Sequence, residues 1–223
     1  MREDIFSQDG SQNAQYRKCG EAMKLGDCAR IRTGLVLSRK EATAKSEPHQ
    51  YTALTLKAVA DKGDIDRESI EPYNAAEPLK QDYLTHKGDV LLRLSAPYTA
   101  AIIEEEDEGL LISSHFAIIR VSHRKLDPYY LHWWLTQNRK IFYRQASGAS
   151  MMGTISSGYV GDLELNLPSL ESQRWIATLL QLSYHEQELL SQLSLKKSVL
   201  VNAVLKQIIS STGGNENDHA EKH

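Results

Sequence analysis

Two hydrophobic periods follow one another along this chain. Up to Val121 the apolar residues fall in short runs or strict alternation: Ala29 and Ile31, Tyr51-Thr52-Ala53-Leu54-Thr55-Leu56, Val90-Leu91-Leu92-Arg93-Leu94, Ala100-Ala101-Ile102-Ile103, Leu110-Leu111-Ile112, and Phe116 to Val121. Runs of this length, punctuated by Leu25-Gly26-Asp27, Thr33-Gly34, Lys87-Gly88-Asp89 and Gly109, predict at least five strands. The Val90 and Ala100 runs form a hairpin or an adjacent pair. A helix then starts with Asp127 as N-cap and Pro128 at the first helical position. Tyr130, Leu131, Trp134, Leu135, Asn138, Ile141 and Phe142 recur at three and four, placing Gln137, Arg139, Lys140 and Arg144 mostly on other faces, until Gly148 stops it. A Gly, Ser and Met loop leads to a last strand, Leu163 to Leu167.

After Leu167-Pro168-Ser169-Leu170-Glu171-Ser172-Gln173 the period changes for good. From Leu179, steps of three and four fall on Leu182, Glu186, Leu189, Leu193, Lys196, Leu200 and Ala203, an apolar seam interrupted by charge twice. This predicts a helix of roughly forty residues to Ile209, about 60 Å long, which is an arm rather than a cover for its own core. Such a stripe calls for a partner helix. In an antiparallel pair centred near residue 191, Glu186 and Lys196 would each face the opposite charge on the other copy. The predicted organisation is a flexible lead at 1–22, one α+β domain with a β-rich core at 23–168, a long coiled-coil helix for dimerisation or spacing at 169–209, and a disordered tail at 210–223.

Composition narrows the function. With 223 residues, 41% hydrophobic and 25% charged, the chain suits one globular domain plus extensions. The absence of a signal-like or membrane-spanning run predicts a soluble, cytoplasmic protein. Cys19 and Cys28 lack metal-site spacing, so reduced thiols and no structural metal are expected. The net charge of −3 is uneven: outside Glu104-Glu105-Glu106-Asp107-Glu108 and Ser210 to His223 there are 25 basic and 21 acidic residues. Residues 23–57 carry seven Lys/Arg against three acids, and residues 109–161 carry six against Asp127 alone. Those stretches are where a polyanion would bind, or else they are solvated surface.

Catalytic patterns are weak. Ser95-Ala96-Pro97-Tyr98 resembles the (Asn/Asp/Ser)-Pro-Pro-(Tyr/Phe) motif of amino-methyltransferases, but Ala replaces the first Pro and no Gly-rich turn follows a strand. Asp162-Leu163-Glu164-Leu165-Asn166 has the spacing of nuclease carboxylates, with Asn where a lysine is wanted; outward carboxylates on an alternating strand explain it better. His115, His123 and His132 fall on different elements. Binding groups come in three sets: Arg30, Arg32, Thr33, Ser38, Arg39 and Lys40; Arg93, Ser95, Tyr98 and Thr99; and Arg144, Ser147, Ser150 and Thr154. Arginine grips phosphate or guanine, and hydroxyls donate to phosphate oxygens, so the sets together point to DNA contact. Met151 and Met152 either wedge against bases or plug core.

The order of Leu25-Gly26-Asp27, Gly88-Asp89-Val90-Leu91-Leu92, Phe116-Ala117-Ile118-Ile119-Arg120, Asp127-Pro128-Tyr129-Tyr130-Leu131, Gly148 and Leu167 to Gln173 resembles one half of a type I restriction-modification specificity (S) subunit: one target recognition domain with its conserved-region helix, over about residues 23–209. One departure is that Ser172 separates Glu171 from Gln173, where the family usually has Glu-Gln adjacent. The resemblance implies a non-catalytic subunit of mixed α/β fold that reads half of a bipartite site in double-stranded DNA. It implies a second copy of the chain as partner, giving a homodimer that reads an inverted repeat, and recruitment of methyltransferase (M) and restriction (R) subunits. It also implies no directly bound cofactor, S-adenosylmethionine, ATP and Mg being used by those partners. The alternatives are a non-DNA interaction adaptor working through the helix, and an orphan half-subunit without active enzymes.

Overall fold

A computed structural model describes residues 21–43, 47–61, 63–149 and 153–212. It separates into two compact units between Ala177 and Thr178. The first opens with β1 (Glu21–Lys24), a single helical turn α1 (Leu25–Cys28) and β2 (Ala29–Thr33). It continues through β3 (His49–Leu54), β4 (Glu71–Ala75), β5 (Val90–Arg93), β6 (Ala100–Ile102), β7 (Leu111–Ile112) and β8 (Phe116–Val121). Helices α2 (Pro128–Gln137), α3 (Arg139–Ala149) and α4 (Ser157–Gly161), strand β9 (Glu164–Leu167) and the start of α5 (Leu170–Thr212) complete it. Among the described residues the strands form three sheets, ordered β1-β9, β2-β8-β5-β6 and β4-β3-β7, antiparallel throughout except for β3 against β7. The fold is the expected mixed helix and sheet with a β-rich core and a long final helix.

The four-stranded sheet explains the unbroken apolar runs. Val90, Leu92, Ala117 and Ile119 turn towards α2 and α3, where Leu131, Leu135 and Phe142 meet them, while Leu91, Phe116 and Ile118 turn to the opposite side against Leu54, Ala101 and Ile112. A sheet covered on both faces needs apolar residues at every position rather than at alternate ones. Each fully buried Leu or Ile stabilises by roughly 1.5–3 kcal/mol. The β5–β6 pair is antiparallel, as the sequence predicts, with Val90 opposite Ile102. Strands β1 and β4 have no such signature. Glu21 and Ala22, expected in the flexible lead, pair with Leu167 and Asn166 of β9, so tertiary pairing makes a strand where local preference did not. Residues 1–20 lie outside the described residues.

The turn Lys87-Gly88-Asp89 has a definite chemistry. Gly88 takes a φ of 82°, which favours glycine. Asp89, 1% exposed, then receives Nε of Arg120 at 2.7 Å on one oxygen, and Nη2 of Arg120 at 2.6 Å and the His86 N–H at 2.9 Å on the other. The neighbouring carboxylate favours the charged guanidinium and pushes the Arg120 pKa up. Gly34 is required by space: a Cβ there would lie 2.3 Å from the Ser113 carbonyl oxygen. The acidic run is also structural. Glu104 accepts from the Tyr129 hydroxyl, Glu105 pairs with Lys87, Glu108 accepts the Lys87 N–H, and buried Asp107 pairs with Arg67 at 2.8 Å.

Asp127 caps α2 as expected, accepting from Tyr129 N and Tyr130 N at 3.0 and 3.2 Å. The single helix expected from Pro128 to Gly148 is two. The Asn138 amide returns to the Trp134 carbonyl at 2.8 Å and its backbone leaves the helical region, so α2 ends there and α3 begins at Arg139. At the start of α5, Ser169 Oγ accepts the Ser172 N–H, and Gln173, 1% exposed, joins three places. Its amide nitrogen donates to Lys125 O and Pro168 O, and its oxygen accepts the Asp127 N–H. Gln173 thus holds the first turn of α5 against the entry to α2, whatever residue separates it from Glu171.

The second unit is the remainder of α5, within a helix of 43 residues. It extends to Thr212, beyond the expected end at Ile209. Every described side chain from Gln181 to Ser210 is exposed.

Candidate nucleic-acid interface

Strand direction gathers much of the predicted site at one end of the four-stranded sheet. β2 ends there with Thr33 opposite Ala117, and β5 ends there with Arg93 opposite Phe116, the first residue of β8. The chain on either side of these ends is tied together by backbone bonds: Ser114 N to Leu35 O, Leu94 N to His115 O, and Ile155 N to Leu94 O. Thr154 bridges to Ser95. Thr33, Arg93, Ser95 and Thr154 therefore cluster, with Ser38 and Arg39 exposed on the 3-10 turn Leu37–Arg39 that follows Leu35. Thr33 Oγ1 bonds Ser157 Oγ at 2.9 Å, and Arg93 Nε lies 3.5 Å from Ser95 Oγ.

The third set adjoins the second through aromatic packing. Tyr98 stands edge-on to Tyr143 of α3 with ring centroids 4.8 Å apart, and its hydroxyl donates to the Gly153 carbonyl at 2.6 Å. Arg144 and Ser147 are exposed on the same helix, Ser147 donating to the Tyr143 carbonyl. Ser150, Met151 and Met152 lie outside the described residues.

Several predicted contacts are otherwise employed. Tyr98 and Thr99 are 2% and 1% exposed. Tyr98 packs on Phe142 as well as Tyr143, and burial pushes its hydroxyl pKa up. Both are core residues rather than surface contacts, because the loop that looked like a base-holding motif turns its aromatic ring inward. Arg30 and Arg32 project from mid-strand and share the Asp82 carboxylate at 3.2 and 2.6 Å. Lys40 pairs with Glu77. Outside the predicted sets, Lys57 pairs with Glu71 and Lys24 with Asp162. This pairing neutralises much of the basic stretch at 23–57.

Some of the cations left without an acidic partner lie on or beside these elements. Among the described residues, Arg39, Arg93, Arg139, Lys140 and Arg144 have no carboxylate within ion-pair distance. Arg139 and Lys140 were absent from the sequence-derived sets, although their place on the polar side of the helical pattern was the signal for them. Arg139 donates Nη2 to the Asp61 carbonyl at 3.2 Å. Beside Ser38 opens a cavity of about 350 Å³ lined by residues 35–38, 55–57, 71 and 113–115. No group of three or more His, Cys, Asp and Glu that could hold a metal occurs among the described residues. Asp162 and Glu164 point outward, Asp162 onto Lys24.

The seam residues all lie on the exposed length of α5. Leu179, Leu182, Leu189, Leu193 and Leu200 are 48–69% exposed, and Glu186, Lys196 and Ala203 are exposed among them. Trp175, one step ahead of Leu179 in the same repeat and 70% exposed, was missed because the pattern was counted from Leu179.

No family model and no curated protein matches the chain. Solved structures do. A chain from a study of complex assembly and conformational transition in a type I R-M system is similar over 86% of this chain and 50% of its own length, with TM-score 0.55 and 16% identity. The HsdS subunit of Thermoanaerobacter tengcongensis is similar over 76% of this chain and 38% of its own, with TM-score 0.52 and 16% identity. The type I restriction-modification S subunit of M. genitalium is similar over 85% and 46%, with TM-score 0.50 and 14% identity. This chain thus spans half or less of each, and at such identities what it shares with them is the fold: its architecture is that of type I restriction-modification S subunits.

Proposed function

We propose that this chain is a specificity subunit of a type I restriction-modification system: a non-catalytic reader of one half of a bipartite site in double-stranded DNA. The observation that carries the reading is the convergence, on an S-subunit fold, of exposed Arg39 and half-buried Arg93, both lacking acidic partners, with the hydroxyls of Thr33, Ser38, Ser95 and Thr154 at one sheet end. Cations free of acidic partners release counterions from phosphate, and adjacent hydroxyls and backbone N–H groups fix register on the duplex. α5 supports the second part of the proposal. Its seam has no partner among the described residues, and the same seam on a second copy covers it by isologous contact, so that two chains read an inverted repeat. Methyltransferase and restriction subunits, using S-adenosylmethionine, ATP and Mg, are the proposed partners.

Co-expression with a cognate methyltransferase subunit followed by mapping of methylated bases tests the role. A symmetric, split motif is the expected outcome; a purified complex that methylates no defined motif overturns it. Salt titration separates a DNA reader from a protein adaptor. Affinity for duplex DNA is expected to fall steeply with added salt, with a slope of about −0.9 per phosphate contact.

A further inference from the structure

We infer that Asp82 withholds Arg30 and Arg32 from DNA phosphates, and so limits how tightly the chain holds DNA of any sequence. The inference rests on the DNA-reading role proposed above and names the residue that restrains it. Sheet register puts the two arginines on the same side of the sheet as Arg93. Arg30 is opposite Arg120 and Arg32 opposite Ile118; across β8, Ile118 is opposite Leu91 and Phe116 opposite Arg93. Directly opposed residues point to one side of a sheet, so Arg30, Arg32 and Arg93 share the face turned away from α2 and α3. Two strands and two residues separate Arg32 from Arg93, a distance of about 12 Å between backbones. β2 is the edge strand of the sheet, which leaves its arginines open to solvent.

One carboxylate engages both arginines. Asp82 Oδ1 lies 3.2 Å from Nη1 of Arg30, and Oδ2 lies 3.4 Å from Nη2 of Arg30 and 2.6 Å from Nη1 of Arg32. Among the described residues Asp82 is the only acid within ion-pair distance of either, and neighbouring Arg120 is committed to Asp89. The fork that Arg30 presents to Asp82 is the one with which arginine takes a phosphate. Two positive charges against one negative leave the group a surplus of one. The side chains of Arg30 and Arg32 remain 57% and 37% exposed, so a polyanion can reach them while Asp82 competes for the same N–H groups. A sequence reader gains from that competition. Phosphate contacts hold every sequence alike, and what matters for finding a site is the ratio of specific to non-specific affinity.

Titration of the full chain with a mixed-sequence duplex at several salt concentrations tests the inference. Asp82→Asn keeps the side-chain size and removes the charge. It is expected to bind about tenfold tighter than wild type at about 0.1 M salt and to steepen the salt slope by about 1.8, the value for two added phosphate contacts. Asp82→Ala is expected to show the same gain, and Asp82→Glu to bind as wild type does. Combining Asp82→Asn with Arg30→Gln and Arg32→Gln is expected to abolish the gain, since no freed arginine remains. Asp162→Asn makes the same change in net charge but frees Lys24, on a different sheet, and is expected to alter the slope much less. Asp82→Asn and Asp82→Ala binding no tighter than wild type, a gain that survives loss of both arginines, or an equal gain from Asp162→Asn overturns the inference. Wild-type binding that weakens steeply with salt beside an unchanged Asp82→Asn sinks this inference and leaves the recognition role standing, whereas binding by neither protein overturns both.

Discussion

Asp89 and Gln173 show how two inexpensive-looking sequence patterns acquire a fixed meaning. The aspartate of Gly88-Asp89-Val90 is buried because Arg120, 31 residues away in sequence but adjacent in space, brings two N–H groups to it. Asp89→Ala leaves the Arg120 guanidinium without its counter-charge, and urea unfolding is expected to show a loss of about 3 kcal/mol. Gln173→Ala removes three hydrogen bonds and strands the Asp127 N–H, for an expected loss of about 2 kcal/mol. His132 carries a pH signature. Burial holds its pKa below the ordinary 6.5, outweighing its bond to the Ala100 carbonyl. The unfolded chain therefore takes up a proton that the folded chain refuses, so stability is retained above about pH 6.5 and declines as pH drops below it. Thermal melts from pH 7.5 to 5 are expected to show that decline, and His132→Gln to reduce it.

Among the elements, the four-stranded sheet sorts its own arginines. Those in mid-strand, Arg30 and Arg32, are held by Asp82, while Arg93 at the strand end and Arg39 beyond it are not. In DNA titrations against salt, Arg39→Ala, Arg93→Ala and Arg144→Ala are each expected to lower the slope by about 0.9, whereas Arg30→Ala removes a cation already held by Asp82 and is expected to change the slope much less. Equal effects at all four positions would contradict this division of the basic residues. Gly34→Ala addresses the same sheet end from the side of packing. A Cβ cannot pass the Ser113 carbonyl at 2.3 Å without displacing backbone, so a loss of about 2–4 kcal/mol is expected in denaturant unfolding.

For the whole molecule, the proposed homodimer would couple the stability of the arm to concentration. An isolated helix with its apolar side in water is marginal, and pairing is what makes it persist. Helical ellipticity at 222 nm is therefore expected to fall on dilution through the dimer dissociation range, while near-ultraviolet signals from the buried tyrosines of the first unit hold. Uniform loss of both signals would mean that the arm and the domain fold as one.

Period and punctuation were enough to place seven of the strands, the Asp127 cap and the long helix, because those signals are local: alternation, apolar runs, and side chains that satisfy backbone groups within a turn or two. The seam on α5 was legible for the same reason. Strands β1 and β4, the inward turn of Tyr98 and the sharing of Asp82 by two arginines were decided by tertiary structure. Each depends on a partner distant in sequence, Asp82 lying about fifty residues from the arginines it neutralises, and charge counted along a chain does not record which charges meet. The sequence set out which groups could bind a polyanion and which helix wanted a partner; only the fold decided which of those groups were left free to do so.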